Sequence, residues 1–346
     1  MTHELKKIPQ HYAIAKATGK KTVLATVVAL EGSSYRRPGV SMLIVEGGQM
    51  IGAVSGGCVE KEILHQAQSV FQDGKAKVMT YDGRYRLGCE GILYILIEPF
   101  SPSEIWMQEF QNTLTNRTNL TTKTFYTKDD LKCSEKFGTA YFFSNDAFLT
   151  VSPNFDVQSA LADAGISIFE NELKPCFRLV IVGSEHDAVE LCTAASFLGW
   201  EVTVIVSPKD PKTIGNFPGA NALVHSSPET LDVTHFDSGS AVVLMTHSYV
   251  TDLKFLLALK DIHFVYLGLL GPSKRREKLL GEFIEHAPEV EEAFFTNIHG
   301  PSGLNLGAET PQEIAVSIVS EILSVIRKQD ASPLKKRKGR IHSQAE

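Results

Sequence analysis

The apolar positions of this chain change period several times, and each change marks an element. Residues 23–30 form a β-branched, apolar run, and 41–45 and 50–54 follow on either side of Gly47-Gly48, so the three read as strands of one sheet. From Val59 onward, Ile63, Leu64, Ala67 and Val70 fall at helical spacing, so a helix is expected to emerge directly from the turn Ser55-Gly56-Gly57-Cys58. Further short strands are expected over 77–81, 92–97, 123–127 and 140–144. The stretch from 101 to about 172 carries no clear period and is assigned to the outer part of the first domain.

At Pro175 the pattern changes character. An apolar run over 179–182 stops at Gly183, a helical pattern follows (Ala188, Val189, Leu191, Cys192, Ala195, Leu198), and 202–206 is a second strand. Strand, glycine turn, helix and strand make a βαβ unit. Two more apolar runs, 241–245 and 264–267, alternate with helical stretches, which points to a parallel sheet covered on both faces. The last helix is the plainest: Thr310 as N-cap, Pro311 in the first turn and Glu313 completing a capping box, with Ile314, Ile318, Ile322 and Ile326 repeating behind them. The expected fold class is therefore α/β, an N-terminal α+β domain over 1–172 followed by a C-terminal Rossmann-like, doubly wound parallel-sheet domain over 173–330. A basic, polar tail over 331–346 is expected to be disordered.

Composition narrows the class. At 346 residues with a formal net charge of −6, the chain has room for two domains and is no candidate for bulk nucleic-acid binding. Its five cysteines include no CxxC pair, and the N-terminus lacks the apolar segment of a signal peptide, so a reducing cytoplasm is the expected compartment. No apolar run is long enough to span a bilayer.

The densest candidate chemistry lies between Gly32 and Glu60. Arg36 and Arg37 sit together on one glycine-rich turn, and Ser55, Gly56, Gly57 and Cys58 lead into a helix whose first free N–H groups suit an anion. The same end field would favour thiolate at Cys58, the form that attacks electrophiles and binds metals. Cys58 as a small apolar residue closing a turn is the competing reading. Cys89 follows a second small-residue turn just before the 92–97 strand, and a strand order that joins the two turns would place both thiols about one ligand. A second anion site is suggested by Ser273, Lys274 and Arg275, with Ser273 capping a new helix; the alternative is that these side chains splay into solvent. The βαβ unit invites a dinucleotide, yet the turn reads GSEHDA, with Glu185 where the fingerprint needs its second glycine. Val206-Ser207-Pro208 stands where the ribose-binding carboxylate belongs. NAD is therefore not the expected ligand.

With these residues in view, the chain resembles the XdhC/CoxI family. The likeness is carried by ATVVALEGSSYRRPG, GAVSGGCVEKEI and LGCEGILYILIEP in the first domain, and by RLVIVGSEHDAVELC, LMTHSYVTDL, YLGLLGPSKRREKL and PSGLNLGAETPQEIAVSI in the second. The resemblance implies a protein that binds molybdopterin-type molybdenum cofactor as cargo, protects it and delivers it to a xanthine dehydrogenase-type hydroxylase in purine catabolism. A cysteine desulfurase and a second copy of the chain are the further partners it suggests. It also implies Arg36, Arg37, Ser55, Gly56, Gly57, Cys58, Cys89, Gly183, His186, Ser273, Lys274 and Arg275 as cofactor contacts, with Cys58 and Cys89 as molybdenum contacts. His186 stands where the family's turn carries its histidine. Glu185 and Glu90 stand where the family carries glycines. Two other classes remain as alternatives: an NAD(P)-dependent oxidoreductase or a subunit of a xanthine dehydrogenase complex, and a purely structural adaptor.

Overall fold

The computed structural model describes residues 2–32, 37–85, 91–143, 148–233 and 236–336. Arg36 and Cys89 thus lie outside the described residues, as does the tail beyond Lys336. The chain divides into two compact units, Met1–Pro175 and Cys176–Arg337.

The first unit opens with two helices, α1 (Thr2–Leu5) and α2 (Lys7–Ala17), before β1 (Thr22–Glu31). β2 (Ser41–Val45) and β3 (Gln49–Ile51) form the hairpin expected across Gly47-Gly48, and Gly52, at φ 88°, ends β3 earlier than its apolar run suggested. α3 (Cys58–Asp73) then carries the chain to β4 (Ala76–Asp82) and β5 (Ile92–Pro99). The stretch left without a period proves to be ordered. It holds α4 (Glu104–Asn116), β6 (Leu120–Tyr126), β7 (Cys133–Ser134), β8 (Gly138–Phe142), β9 (Phe148–Thr150), α5 (Val157–Leu161) and β10 (Ser167–Leu173). Trp106, Phe110 and Thr113 of α4 are buried at helical spacing behind an N-cap at Ser103, whose hydroxyl accepts the Trp106 amide.

One sheet has the order β3-β2-β1-β5-β4-β7 and the other β10-β6-β8-β9, with antiparallel neighbours throughout. The first is apolar on both faces because both are covered. Val23, Ala25 and Val27 pack with Met42, Ile44 and the α3 residues Ile63, Ala67 and Val70. Leu24 and Leu43 point the other way, into a core built around Trp106. Trp106 is fully buried, stacked on Phe110 at 4.9 Å and met edge-on by Tyr141 at 5.1 Å.

The second unit begins with β11 (Arg178–Val182), α6 (His186–Phe197), β12 (Glu201–Val206), β13 (Ala222–His225) and β14 (Ser240–Leu244). It continues through α7 (Tyr249–Ala258), β15 (Tyr266–Leu269), α8 (Ser273–His286), α9 (Glu292–Thr296), β16 (Ile298–His299) and α10 (Pro311–Arg327). The sheet is parallel throughout, in the order β13-β12-β11-β14-β15-β16. This is a doubly wound Rossmann-like domain: Leu179 and Ile181 pack on the side of α6 and α10, Val180 and Val182 on the side of α7 and α8. The α10 capping box forms as the residues dictate, with Thr310 Oγ1 accepting the Glu313 amide at 3.3 Å and Glu313 accepting the Thr310 amide at 3.1 Å. At α8 the expectation fails: Pro272 occupies the N-cap position and Ser273 is the first helical residue, without a capping hydrogen bond. A proline has no side-chain oxygen or nitrogen to accept a first-turn amide, so this helix start carries no side-chain cap.

Glu98 of β5 is fully buried in the first unit, with both carboxyl oxygens held by Thr139: the amide at 3.0 Å and the hydroxyl at 2.6 Å. Burial pushes its carboxyl up to about 7, against the opposing pull of the two Thr139 hydrogen bonds. The folded state binds this proton more tightly than the unfolded chain does. The stability it contributes is therefore complete below about pH 4.5 and is lost as pH rises through about 7. Over that window wild type should lose roughly 3 kcal/mol more than Glu98→Gln, read as diverging urea midpoints between pH 5 and pH 8. Parallel profiles would show that Glu98 does not carry this proton.

Candidate functional site

The glycine turn of the first unit is organised from beneath by a residue that sequence reading passed over. Gly57, at φ 65°, is the N-cap of α3, which makes Glu60 the third residue of the first turn. A carboxylate at that position can reach back over the cap. Glu60 does so: its Oε1 accepts the amides of Val54 at 3.1 Å and Ser55 at 2.7 Å. Glu60 is 7% exposed, and its Oε2 is buried with no hydrogen-bond partner among the described residues. A buried oxygen left in that condition costs about 1–3 kcal/mol. The signal was available in the sequence as Gly-x-x-Glu across the start of an apolar-periodic run.

Above this carboxylate the turn stands clear. Among the described residues a Cβ at Gly56 or Gly57 would meet nothing within 4 Å, and Cys58, whose amide donates to the Gly56 carbonyl at 2.7 Å, is exposed. The end field of α3 therefore acts on Cys58 together with the nearby Glu60 carboxylate, an opposing charge that the reading from the helix terminus alone did not include.

Strand directions place the neighbouring turns. β3 runs from Gln49 toward the end of the sheet where β1 finishes at Glu31, and α3 starts at that end. Glu31 is paired with Ile92, the first residue of β5, and Ile92 with Asp82, the last of β4. Arg37, exposed, precedes Gly39, whose amide donates to the Val27 carbonyl at 2.7 Å on the same side. The described residues that bracket the arginine turn and the Cys89 turn thus leave the sheet at the end where Cys58 stands.

In the second unit the strand order reverses between β11 and β14, the switch point at which open α/β sheets take ligands. Gly183 lies there at φ 144°, and a Cβ on it would overlap the Met245 carbonyl. Only glycine lets the two strand exits approach so closely. Beyond it the Ser184 carbonyl accepts Lys212 Nζ, Glu185 is the N-cap of α6, and His186 is exposed on the first turn. Asp187, in the same turn, faces His247 Nε2 at 3.5 Å, and His247 itself holds φ 57° at the exit of β14. Two carboxylates at one helix N-terminus oppose a pyrophosphate. The Asp187–His247 pair was missed because its partners are 60 positions apart and meet only through the β11–β14 pairing.

The remaining candidates separate. Arg275 is turned inward, its guanidinium bonded to Asp252 Oδ2 at 2.7 Å and to the Leu270 carbonyl at 3.0 Å. Asp252 also accepts the Thr246 hydroxyl at 2.6 Å, so Arg275 braces the β14 exit. Burial raises the Asp252 carboxyl in spite of these partners. Ser273 and Lys274 remain exposed on α8. Among the described residues no group of three or more His, Cys, Asp or Glu side chains could hold a metal ion, and no helix is long and apolar enough to cross a membrane.

The family to which this fold belongs is given by its similarity to known proteins. The chain matches the XdhC and CoxI family over residues 15–82 and the XdhC Rossmann domain over 179–322, and it belongs to the XdhC/CoxI family. It is 29% identical over 329 residues to a Bacillus subtilis protein named as a probable subunit of xanthine dehydrogenase, covering 88% of this chain and 93% of that one. It is 23% identical over 330 residues to the Escherichia coli molybdenum cofactor insertion chaperone PaoD, covering 94% and 90%. A crystal structure from Bacillus halodurans described as a xanthine dehydrogenase shares the fold, with a TM-score of 0.73 at 24% identity over 94% of this chain and 98% of that one.

The thiols differ sharply in surroundings. Cys192 is fully buried on α6, where burial pushes its thiol up to about 11. Iodoacetamide near neutral pH should label Cys58 in the native protein and Cys192 only on unfolding, read by peptide mass spectrometry. Equal labelling rates at the two would contradict the placement of Cys58.

Proposed function

We propose that this protein is a maturation factor that holds molybdenum cofactor and passes it to a xanthine dehydrogenase-type hydroxylase. The observation that carries the reading is Cys58, exposed at the head of α3 on a glycine turn, in a chain whose family includes a relative named for molybdenum cofactor insertion. A thiolate is the soft ligand that a molybdenum centre accepts. Ser55, Gly56 and Gly57 would bring backbone close to the cargo, and Arg37, with Arg36 and Cys89 as the family resemblance implies, would complete the set of contacts. The second unit would contribute Gly183 and His186 at the switch point of its sheet.

One observation favours a second reading: the strand order of the second unit is that of dinucleotide-binding sheets. On our reading NAD is not a ligand, because Glu185 and Asp187 stand where its phosphates would lie. Calorimetry should detect no NAD binding at low micromolar concentrations. A dissociation constant there, about 8 kcal/mol of affinity, would favour the oxidoreductase alternative.

The direct test is the cargo. Protein purified from a host that makes the cofactor should contain molybdenum and pterin, and Cys58→Ser should lose most of both while unfolding at a similar temperature. Wild-type protein free of both would refute the proposal.

A further inference from the structure

Glu60 presents more than a brace for the turn. Its Oε1 already accepts two backbone amides, while its Oε2, in a side chain more than nine-tenths buried, has no hydrogen-bond partner among the described residues. The carboxylate holds the Val54 and Ser55 amides at the start of the Ser55–Gly57 turn, where a Cβ on Gly56 or Gly57 would meet nothing within 4 Å among the described residues, and Cys58 stands two residues before it. An anion does not suit this place, since it would meet a carboxylate. A ligand edge rich in N–H donors does, because it supplies the bonds that Oε2 lacks. A pterin carries such an edge: the 2-amino group and the ring N3–H of its pyrimidinone lie side by side, and both donate.

We infer that Glu60 is the pterin-recognising residue of the Cys58 site, its free Oε2 accepting from the 2-amino-pyrimidinone edge of the cargo. This deepens the proposed function and rests on it. The site then has two poles set by chemistry. The carboxylate takes the donor edge of the ring system, and Cys58 faces the sulfur-and-metal end. The anionic end of the cargo is left to groups other than the N-terminus of α3.

Pterin and lumazine test the assignment, since lumazine carries a 2-oxo acceptor in place of the 2-amino donor. With full-length protein stripped of cargo, pterin should bind at least about tenfold more tightly than lumazine, the scale of a hydrogen bond to a charged group, followed by ligand fluorescence. Glu60→Gln retains an amide oxygen for the Val54 and Ser55 amides and puts an N–H₂ where Oε2 was, so the preference should vanish or reverse. Wild-type protein that fails to favour pterin, or a well-folded Glu60→Gln that keeps the preference, overturns the assignment. The cargo retained by protein from a cofactor-making host provides the second readout. Glu60→Gln should hold several-fold less pterin than wild type at an unchanged unfolding midpoint. Equal pterin in both proteins overturns the role of Glu60 alone, whereas wild type without pterin overturns the proposed function itself.

Discussion

A glycine turn that must hold a reactive side chain in place has little stiffness of its own, and in the first unit that stiffness comes from one buried carboxylate. Glu60 gathers the amides of Val54 and Ser55 from inside the first turn of α3. Without it, two amides at the mouth of the helix would have no partner and Gly56-Gly57 would have no fixed path. Cys58 can therefore be both exposed and positioned, because its position is set from below. The rest of the unit serves this arrangement: Ile63, Ala67 and Val70 seat α3 on the sheet, and the second sheet and α4 cover the opposite face.

The second unit solves a related problem by close packing. β11 and β14 leave the sheet so near each other that only glycine fits at 183, and Arg275 and Asp252 brace the β14 exit from behind. The switch point this produces is that of a dinucleotide fold with different residues around it. Carboxylates stand at its helix N-terminus, and a histidine is held at positive φ beside one of them. The architecture is shared with nucleotide-binding sheets, while the charge at the α6 N-terminus is set by this chain's own Glu185 and Asp187.

Much of the architecture was legible in the residues. The β-branched, apolar run at 23–30, the helix after Cys58, the βαβ unit at 179–206 and the capped α10 are each governed by neighbours in sequence, which local patterning reports well. Within 120–173 the strands expected at 123–127 and 140–144 are β6 and β8, whereas β9 and β10 escaped because β9 is three residues long and β10 is largely exposed and polar, and α4 because its buried stripe is narrow. At the site, the glycines, Cys58 and the broken fingerprint could be read directly. Glu60 carries a legible signal, an acid at the third helical position, but its hold on Val54 and Ser55 depends on the path of the glycine turn. The inward turn of Arg275 and the meeting of Asp187 with His247 are tertiary facts: each depends on which strands pair, and no spacing along the chain encodes them.

The central claim is that this chain hands over what it holds. Its most direct test is transfer: cofactor-loaded protein mixed with a cofactor-free xanthine dehydrogenase-type hydroxylase, with an excess of a molybdate- and pterin-scavenging protein to capture anything released to solution. The account predicts that hydroxylase activity and molybdenum content rise together despite the scavenger, as the chain loses its own molybdenum in equal measure. Recovery that the scavenger abolishes, or a hydroxylase that stays empty beside a loaded chain, would contradict it.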